Sequence, residues 1–344
     1  QGDCVPPARR RQYPVEGVRV VSSFASTRYH DRRTWRPRAW TSTPWRALLG
    51  LALLVAPTAL PAGCRPTPAS AEELQTATGT AIVNKGSDTL VNLALAWAET
   101  YMQLHPGVRI SVTGGGSGTG IAALINGTVD LANASREIKP EEAENARQNG
   151  IEPVEFTVAL DAIAVVVNPS NPVDRLTIPQ VSAIYTGEIT NWSEVGGEDR
   201  PIVLLSRESN SGTYVYFLEN VIRQGRSDSD LLFAPDTLLM PSSEGISEEV
   251  RHNPNAIGYD GLGYVTPDQK TVAIATAEGE PYVMPSIETV NDGTYPISRP
   301  LYMYSAGEPR GEVADYLNWI LTDGQELVAE IGFVPLGSRS QGGR

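Results

Sequence analysis

Four short stretches of the chain combine glycine with hydroxyl side chains: KGSDT (85–89), GGGSGTG (114–120), ANASRE (132–137) and SRESNSGTY (206–214). A glycine-rich turn that opens a helix leaves the first N–H groups of that helix without intrahelical partners, at the positive end of the helix dipole. Such a turn holds anions. The last stretch adds Arg207 four residues before Ser211, Gly212 and Thr213, and a guanidinium can take two oxygens of one oxyanion in a fork. Each stretch taken singly is an ordinary helix cap, and Arg207 taken singly could pair with the neighbouring Glu208. Together they offer hydroxyls, backbone donors and a cation, with few apolar residues that would line a pocket for an organic ligand. A tetrahedral oxyanion, with four oxygens to satisfy, calls for that set.

Strands and helices must bring these stretches together. AIVN (81–84) reads as a short buried strand, and KGSDTL carries it into a helix from Thr89 to about Leu104, with Leu90, Ala94, Trp97 and Tyr101 on one face and a stop at His105-Pro106-Gly107. VRISVTG (108–114) is a second strand, leading through the glycine run to a helix that ends at Asn126-Gly127. TVDLANAS (128–135) is a third, followed by an acidic helix from Pro140 to about Gln148. Strand feeding helix three times over predicts parallel α/β architecture. Two long strands, FTVALDAIAVVVNP (156–169) and YPISRPLYMYS (295–305), are predicted to cross between two α/β lobes, and the tail over 314–332 is predicted as one long helix. In open α/β sheets ligands lie beyond the carboxyl ends of the strands, where the four stretches fall. Two lobes joined by two crossings make a hinged cleft that can close on a small ligand.

Enzyme and metal chemistry lack their parts. Ser117 sits in Gly115-Gly116-Ser117-Gly118-Thr119, without the second glycine of a G-x-S-x-G nucleophile elbow. No Gly-Lys pair follows the glycine run as a Walker A loop requires. The three histidines, His30, His105 and His252, are far apart with no ligand spacing, and the only cysteines, Cys4 and Cys64, precede the body of the chain. We therefore expect no catalytic residues, no metal site, no disulfide in the body and no cofactor.

Residues 1–64 hold ten arginines against three acids, followed by the apolar run ALLGLALLVAPTAL (47–60) and then small residues before Cys64. A basic segment, a short apolar segment and small residues describe a secretory signal. LPAGC resembles a bacterial lipoprotein signal, which makes Cys64 the expected lipidation site, although Leu60 lies one residue further from the cysteine than usual. Residues 1 to about 30 could also be an over-extended reading frame. The Pro/Ala/Thr-rich residues 65–79 read as a linker. Beyond residue 64 the chain carries 17 Lys+Arg and 37 Asp+Glu, a net charge of −20. So acidic a body argues against nucleic acid as a partner. It is compatible with an anion ligand, because donors at contact distance decide affinity while surface charge a Debye length away is screened.

The motifs NKGSDTLVNLALAWAETY, SVTGGGSGTGIAALINGTVDLANASREI, YTGEITNWSEVGG, LLSRESNSGTYVYF, AIGY and GFVPL, running in this order from about residue 80 to 337, resemble the phosphate-binding solute receptors of bacterial phosphate-specific (Pst-type) ABC transporters. The R-x-S-x-S-G-T pattern at Arg207 to Thr213 is the most specific. The resemblance implies a type II periplasmic-binding-protein fold with lobe I over 80–160 plus 298–340, lobe II over 161–297, and dehydrated inorganic phosphate in the cleft between them. It implies as phosphate-binding residues Ser87, Asp88 and Thr89 at the first helix start, Ser117 with the N–H of Gly118 or Thr119, and Arg207, Ser211, Gly212 and Thr213. At the position of the family's proton-accepting strand-end aspartate this chain has Ser135, followed by Arg136, and both are counted among the implied phosphate-binding residues. Asp88 is then the candidate acceptor of the phosphate proton, with Glu208 behind it. The implied role is a monomeric, non-enzymatic extracytoplasmic receptor, membrane-tethered, that hands phosphate to ABC permease subunits. The alternatives are another oxyanion, sulfate or molybdate, or a phosphate-sensing interaction protein.

Overall fold

The computed structural model describes residues 80–337. The expected signal segment with its expected lipidation site Cys64, the expected linker 65–79 and the last residues assigned to lobe I lie outside the described residues.

The first half repeats one unit. β1 (Thr80–Gly86) feeds α1 (Asp88–Leu104), β2 (Val108–Thr113) feeds α2 (Ser117–Ile125), and β3 (Leu131–Ala134) leads to α3 (Pro140–Gln148). β1 lies between β2 and β3, parallel to both. α1 forms because Leu90, Leu93, Ala94, Trp97 and Tyr101 recur at helical spacing, and all are buried. The Trp97 indole N–H donates to the Gly324 carbonyl at 2.7 Å, so this large side chain is buried with its one polar group satisfied.

β4 (Pro153–Val167) is the long crossing strand. β5 (Arg175–Thr177), α4 (Ile178–Thr186), β6 (Val203–Arg207), α5 (Gly212–Phe217), β7 (Leu238–Met240), α6 (Ser243–His252), β8 (Ala256–Gly261), β9 (Lys270–Thr271), β10 (Ala273–Ala275) and α7 (Ile287–Asn291) follow. β11 (Ser298–Ala306) returns the chain, ending in α8 (Glu312–Ile320) and α9 (Gln325–Glu330). The main sheet runs β2-β1-β3-β11-β4-β8-β6-β7. β4 pairs antiparallel with β11 over Pro153 to Ala162 and then, from Ile163, with β8. It thus leaves one half of the sheet and enters the other within a single strand. The sheet is mixed where the sequence predicts parallel strands, because the return strand β11 runs antiparallel to both β3 and β4.

Each half has its own core. Ile82, Leu90, Trp97, Tyr101, Leu131, Met303, Tyr316 and Phe333 pack on one side; Val165, Val181, Tyr185, Trp192, Phe217, Ile257 and Tyr259 pack on the other, where the Phe217 and Tyr259 rings stack at 3.7 Å. These cores are the apolar burial that holds each half rigid.

The predicted C-terminal helix is two. α8 stops at Ile320, and a turn through Thr322 and Gly324 restarts the chain as α9. A Cβ at Gly324 would lie 2.9 Å from the Ile320 Cα, so the chain folds back on α8 at a residue without a side chain, and the buried Gly324 carbonyl is the one Trp97 takes.

Candidate functional site

Three helix N-termini meet where the strands of both halves end. At α1, Ser87 is the N-cap residue, its hydroxyl buried and without a partner. Asp88 follows: its Oδ1 accepts the Gly115 N–H at 2.8 Å and its Oδ2 accepts Arg207 Nη2 at 2.9 Å. Thr89 is buried, and its hydroxyl shares a 2.8 Å hydrogen bond with that of Thr213. This contact joins the start of α1 in one half to the start of α5 in the other.

At α2, Gly115 and Gly116 have φ of 114° and 91°, conformations that favour glycine. A Cβ on Gly116 would stand 2.8 Å from the Asn210 carbonyl oxygen. The bare loop lets the β6–α5 turn close over it: the Gly118 N–H donates to that carbonyl at 3.0 Å, and the Asn210 amide donates to the Gly115 carbonyl at 2.9 Å. Ser117, fully buried, accepts the Ser135 N–H at 3.0 Å and lies 3.2 Å from the Ser135 hydroxyl.

At α5, the Ser211 hydroxyl caps the helix by accepting the N–H groups of Thr213 and Tyr214. Gly212 is pressed against the other half, since a Cβ there would lie 2.4 Å from Ser117 Oγ and 2.5 Å from Ser135 Oγ. Arg207, at the end of β6, is 1% exposed. Its Nη1 donates to the Ser243 hydroxyl at 2.9 Å and its Nη2 to Asp88 and, at 3.2 Å, to the Pro241 carbonyl, while Nε is buried without a partner.

A second guanidinium completes the cluster. Arg299, on β11, donates through Nη2 to the Thr213 hydroxyl at 2.9 Å and reaches that of Thr89 at 3.5 Å. It is paired with the fully buried Asp161 at 3.0 and 3.2 Å. Burial pushes the Asp161 carboxyl up, and Arg299 opposes that shift. Nearby, burial pushes Asp260 up to about 7 against the pull of Arg207 and the Ser243 hydroxyl. Two guanidiniums, a ring of hydroxyls and helix-start N–H groups make a cradle suited to a small multivalent anion.

The sequence profile of the PBP superfamily domain matches residues 70–324. The chain is 36% identical to the phosphate-binding protein PstS of Pseudomonas aeruginosa over 287 residues, 78% of this chain and 87% of that one. The chain belongs to this family. Its fold is similar to that of a putative phosphate ABC transporter substrate-binding protein from Clostridium perfringens with bound phosphate, at TM-score 0.66 and 33% identity over 75% of this chain and 100% of the other. It is also similar to an ABC-type phosphate transport receptor from Vibrio cholerae, at TM-score 0.60 and 31% identity over 75% of this chain and 100% of the other. The architecture is therefore the two-lobed type II binding-protein fold of the PstS family.

Set on this PstS fold, the residues singled out from the sequence separate into those that converge and those that do not. Asp88, Thr89, Ser117, Ser135, Arg207, Ser211, Gly212 and Thr213 are brought together, with Ser87 at the same helix start. The Gly118 N–H is taken by Asn210, and Thr119 turns its hydroxyl onto the Gly115 carbonyl at 2.6 Å. Arg136 faces away into a bidentate pair with Glu142 at 2.7 and 2.8 Å, where it ties the strand end to α3. Glu208, the second acceptor candidate, is exposed. Sequence reasoning missed Arg299, Asp161, Ser243 and Asp260. A signal existed for the first two: Asp161 interrupts the apolar run VALDAIAVVV, and Arg299 is the basic residue of the return strand. A carboxylate buried in a strand must find a counter-charge.

Beside Arg299, a cleft of about 580 Å³ opens between residues 136–141, 215–220 and 299–302. Among the described residues, no group of three or more His, Cys, Asp or Glu could hold a metal ion, and no helix is long and apolar enough to cross a membrane.

Proposed function

We propose that this chain captures inorganic phosphate between its two lobes, 80–160 plus 298–340 and 161–297, and delivers it to the membrane subunits of an ABC permease for import. It does so as a monomer outside the cytoplasmic membrane, tethered through Cys64. The family is one of solute receptors, not of enzymes. The observation that carries the reading is the meeting of the α1, α2 and α5 starts with buried Arg207, which supplies many donors and little apolar surface. Names and bound phosphate among the relatives favour phosphate over sulfate or molybdate.

In this reading Asp88 sets specificity. Each of its oxygens already accepts one donor and retains a lone pair for a hydrogen on the ligand. Hydrogen phosphate can donate one. Fully ionised sulfate cannot, and it would face a carboxylate with no proton between them. A site built around one such hydrogen bond rejects the analogue lacking it by about 10⁴–10⁵. Calorimetric titration of phosphate and sulfate into the wild type and Asp88→Asn tests this. We expect phosphate alone to bind the wild type, and the variant to bind phosphate more weakly and reject sulfate less. Sulfate binding the wild type as tightly as phosphate would defeat the reading.

A further inference from the structure

We propose that Arg299 is a positioning residue of the oxyanion site: held by Asp161 where the chain crosses between the lobes, it orients the hydrogen-bonded hydroxyl pair of Thr89 and Thr213, one from each lobe, so that the pair turns its one free hydrogen toward the ligand. The inference rests on the phosphate-binding reading above.

Arg299 on β11 and Asp161 on β4 face one another in register, two residues before β4 exchanges β11 for β8 as its partner. The pair therefore sits at the hinge. The Arg299 guanidinium is held on several sides: Nε and Nη2 donate to Asp161 Oδ2, Nη1 donates to the Ser135 carbonyl at 2.8 Å, and the Tyr216 ring lies 5.5 Å from its central carbon. Asp161 is fixed in turn by the Leu262 N–H, 3.1 Å from Oδ1. What remains of Nη2 points at Thr213 and Thr89.

A hydroxyl carries one hydrogen and two lone pairs and can present either to a ligand. Arg299 fills an acceptor position on Thr213 and is within reach of one on Thr89, and a guanidinium in a protein does not lose its proton. One of the two hydroxyl hydrogens then serves the 2.8 Å hydrogen bond between Thr89 and Thr213, and the other is left for a ligand between the helix starts. An anionic oxygen is welcomed there and a donor is refused. Because the two threonines start helices in different lobes, the same guanidinium favours the donor geometry only when both lobes are in place around it. A salt bridge that served packing alone would have no reason to end on two hydroxyls of the cradle.

The test is calorimetric titration of inorganic phosphate into the wild type, Thr213→Val, Arg299→Lys, the Thr213→Val/Arg299→Lys double variant and Asp161→Asn/Arg299→Gln. The last replaces the buried ion pair by a neutral one of similar shape, so no lone charge is left inside the protein, and thermal unfolding reports its fold. A wild type that binds no phosphate sinks the functional reading itself. Given wild-type binding, we expect Arg299→Lys and the neutral pair each to weaken phosphate by about tenfold or more. We also expect the Thr213→Val/Arg299→Lys double variant to lose clearly less than the product of the two single losses, because part of the Arg299 effect passes through the Thr213 hydroxyl. Phosphate affinity within about twofold of wild type in both Arg299 variants, or losses that simply multiply in the double variant, overturns the inference while leaving the functional reading intact.

Discussion

Arg207 shows how much one side chain can do when its surroundings are fixed. It is buried, its Nη atoms are held by Ser243, Asp88 and Pro241, and its Nε has no protein partner. A buried donor without a partner is costly unless a ligand supplies one. Truncating one member of a buried charge-assisted contact costs on the order of 2–5 kcal/mol. Arg207→Ala should therefore weaken phosphate binding by about thirty-fold or more, read as Kd by calorimetry. Arg207→Lys keeps the charge but loses the planar fork, and should recover only part of that loss. Arg136 behaves differently at the same scale. Its guanidinium is already matched by Glu142, so its charge is spent within one half of the molecule.

At the level of elements, the site is made by helix starts that approach closely because glycine stands at the contact. Gly212 opens α5 against Ser117 and Ser135 at distances no Cβ can occupy. Gly212→Ala should hold the two halves apart and weaken phosphate binding by about tenfold or more, since forcing a methyl group into a packed contact costs about 1–3 kcal/mol. Gly107→Ala is the control: a Cβ there meets nothing within 4 Å, and affinity should stay at the wild-type value. Titrating both variants side by side separates a steric effect on closure from a general effect of losing a glycine. The crossing strands contribute in another way. Because β4 pairs with β11 and then with β8, a single continuous backbone carries Asp161 to the point where both lobes can feel Arg299.

Across the whole molecule, electrostatics act on stability as well as on binding. Burial raises Asp260 from its ordinary 3.8 to about 7, and Asp161 is shifted in the same direction. Over the window between those two values the native protein holds a proton on Asp260 that the unfolded chain has released. Stability from this group is thus complete below about pH 4, falls as pH rises, and levels off above about pH 7. Urea unfolding across that window should show the decline, and Asp260→Asn should flatten it. A variant with an unchanged slope would show that Asp260 does not carry the effect. The net charge of −20 beyond residue 64 acts at longer range. It keeps the surface soluble and is screened within about 10 Å, whereas Arg207 and Arg299 act at contact distance inside.

What the chain determines by itself is local and periodic. Apolar spacing marks α1, glycine and hydroxyl clusters mark the helix starts, and Arg207 stands four residues from Ser211, so the loops that converge were legible while the second guanidinium, Arg299, was not. The long strand that changes sides was legible too, from its run of small and branched residues. Tertiary structure decided which donors face one another. Whether Arg136 or Arg299 enters the cradle depends on Glu142 and Asp161, six and 138 residues away, and no local pattern encodes a partner at the second distance. The break between α8 and α9 did carry a local turn signal, Asp323-Gly324, which the helical spacing on either side masked; what the structure adds is that Trp97, 227 residues earlier, holds the Gly324 carbonyl. Hydrogen bonds and ion pairs have short reach, so their partners are settled only once the packed cores have brought distant strands within a few ångströms.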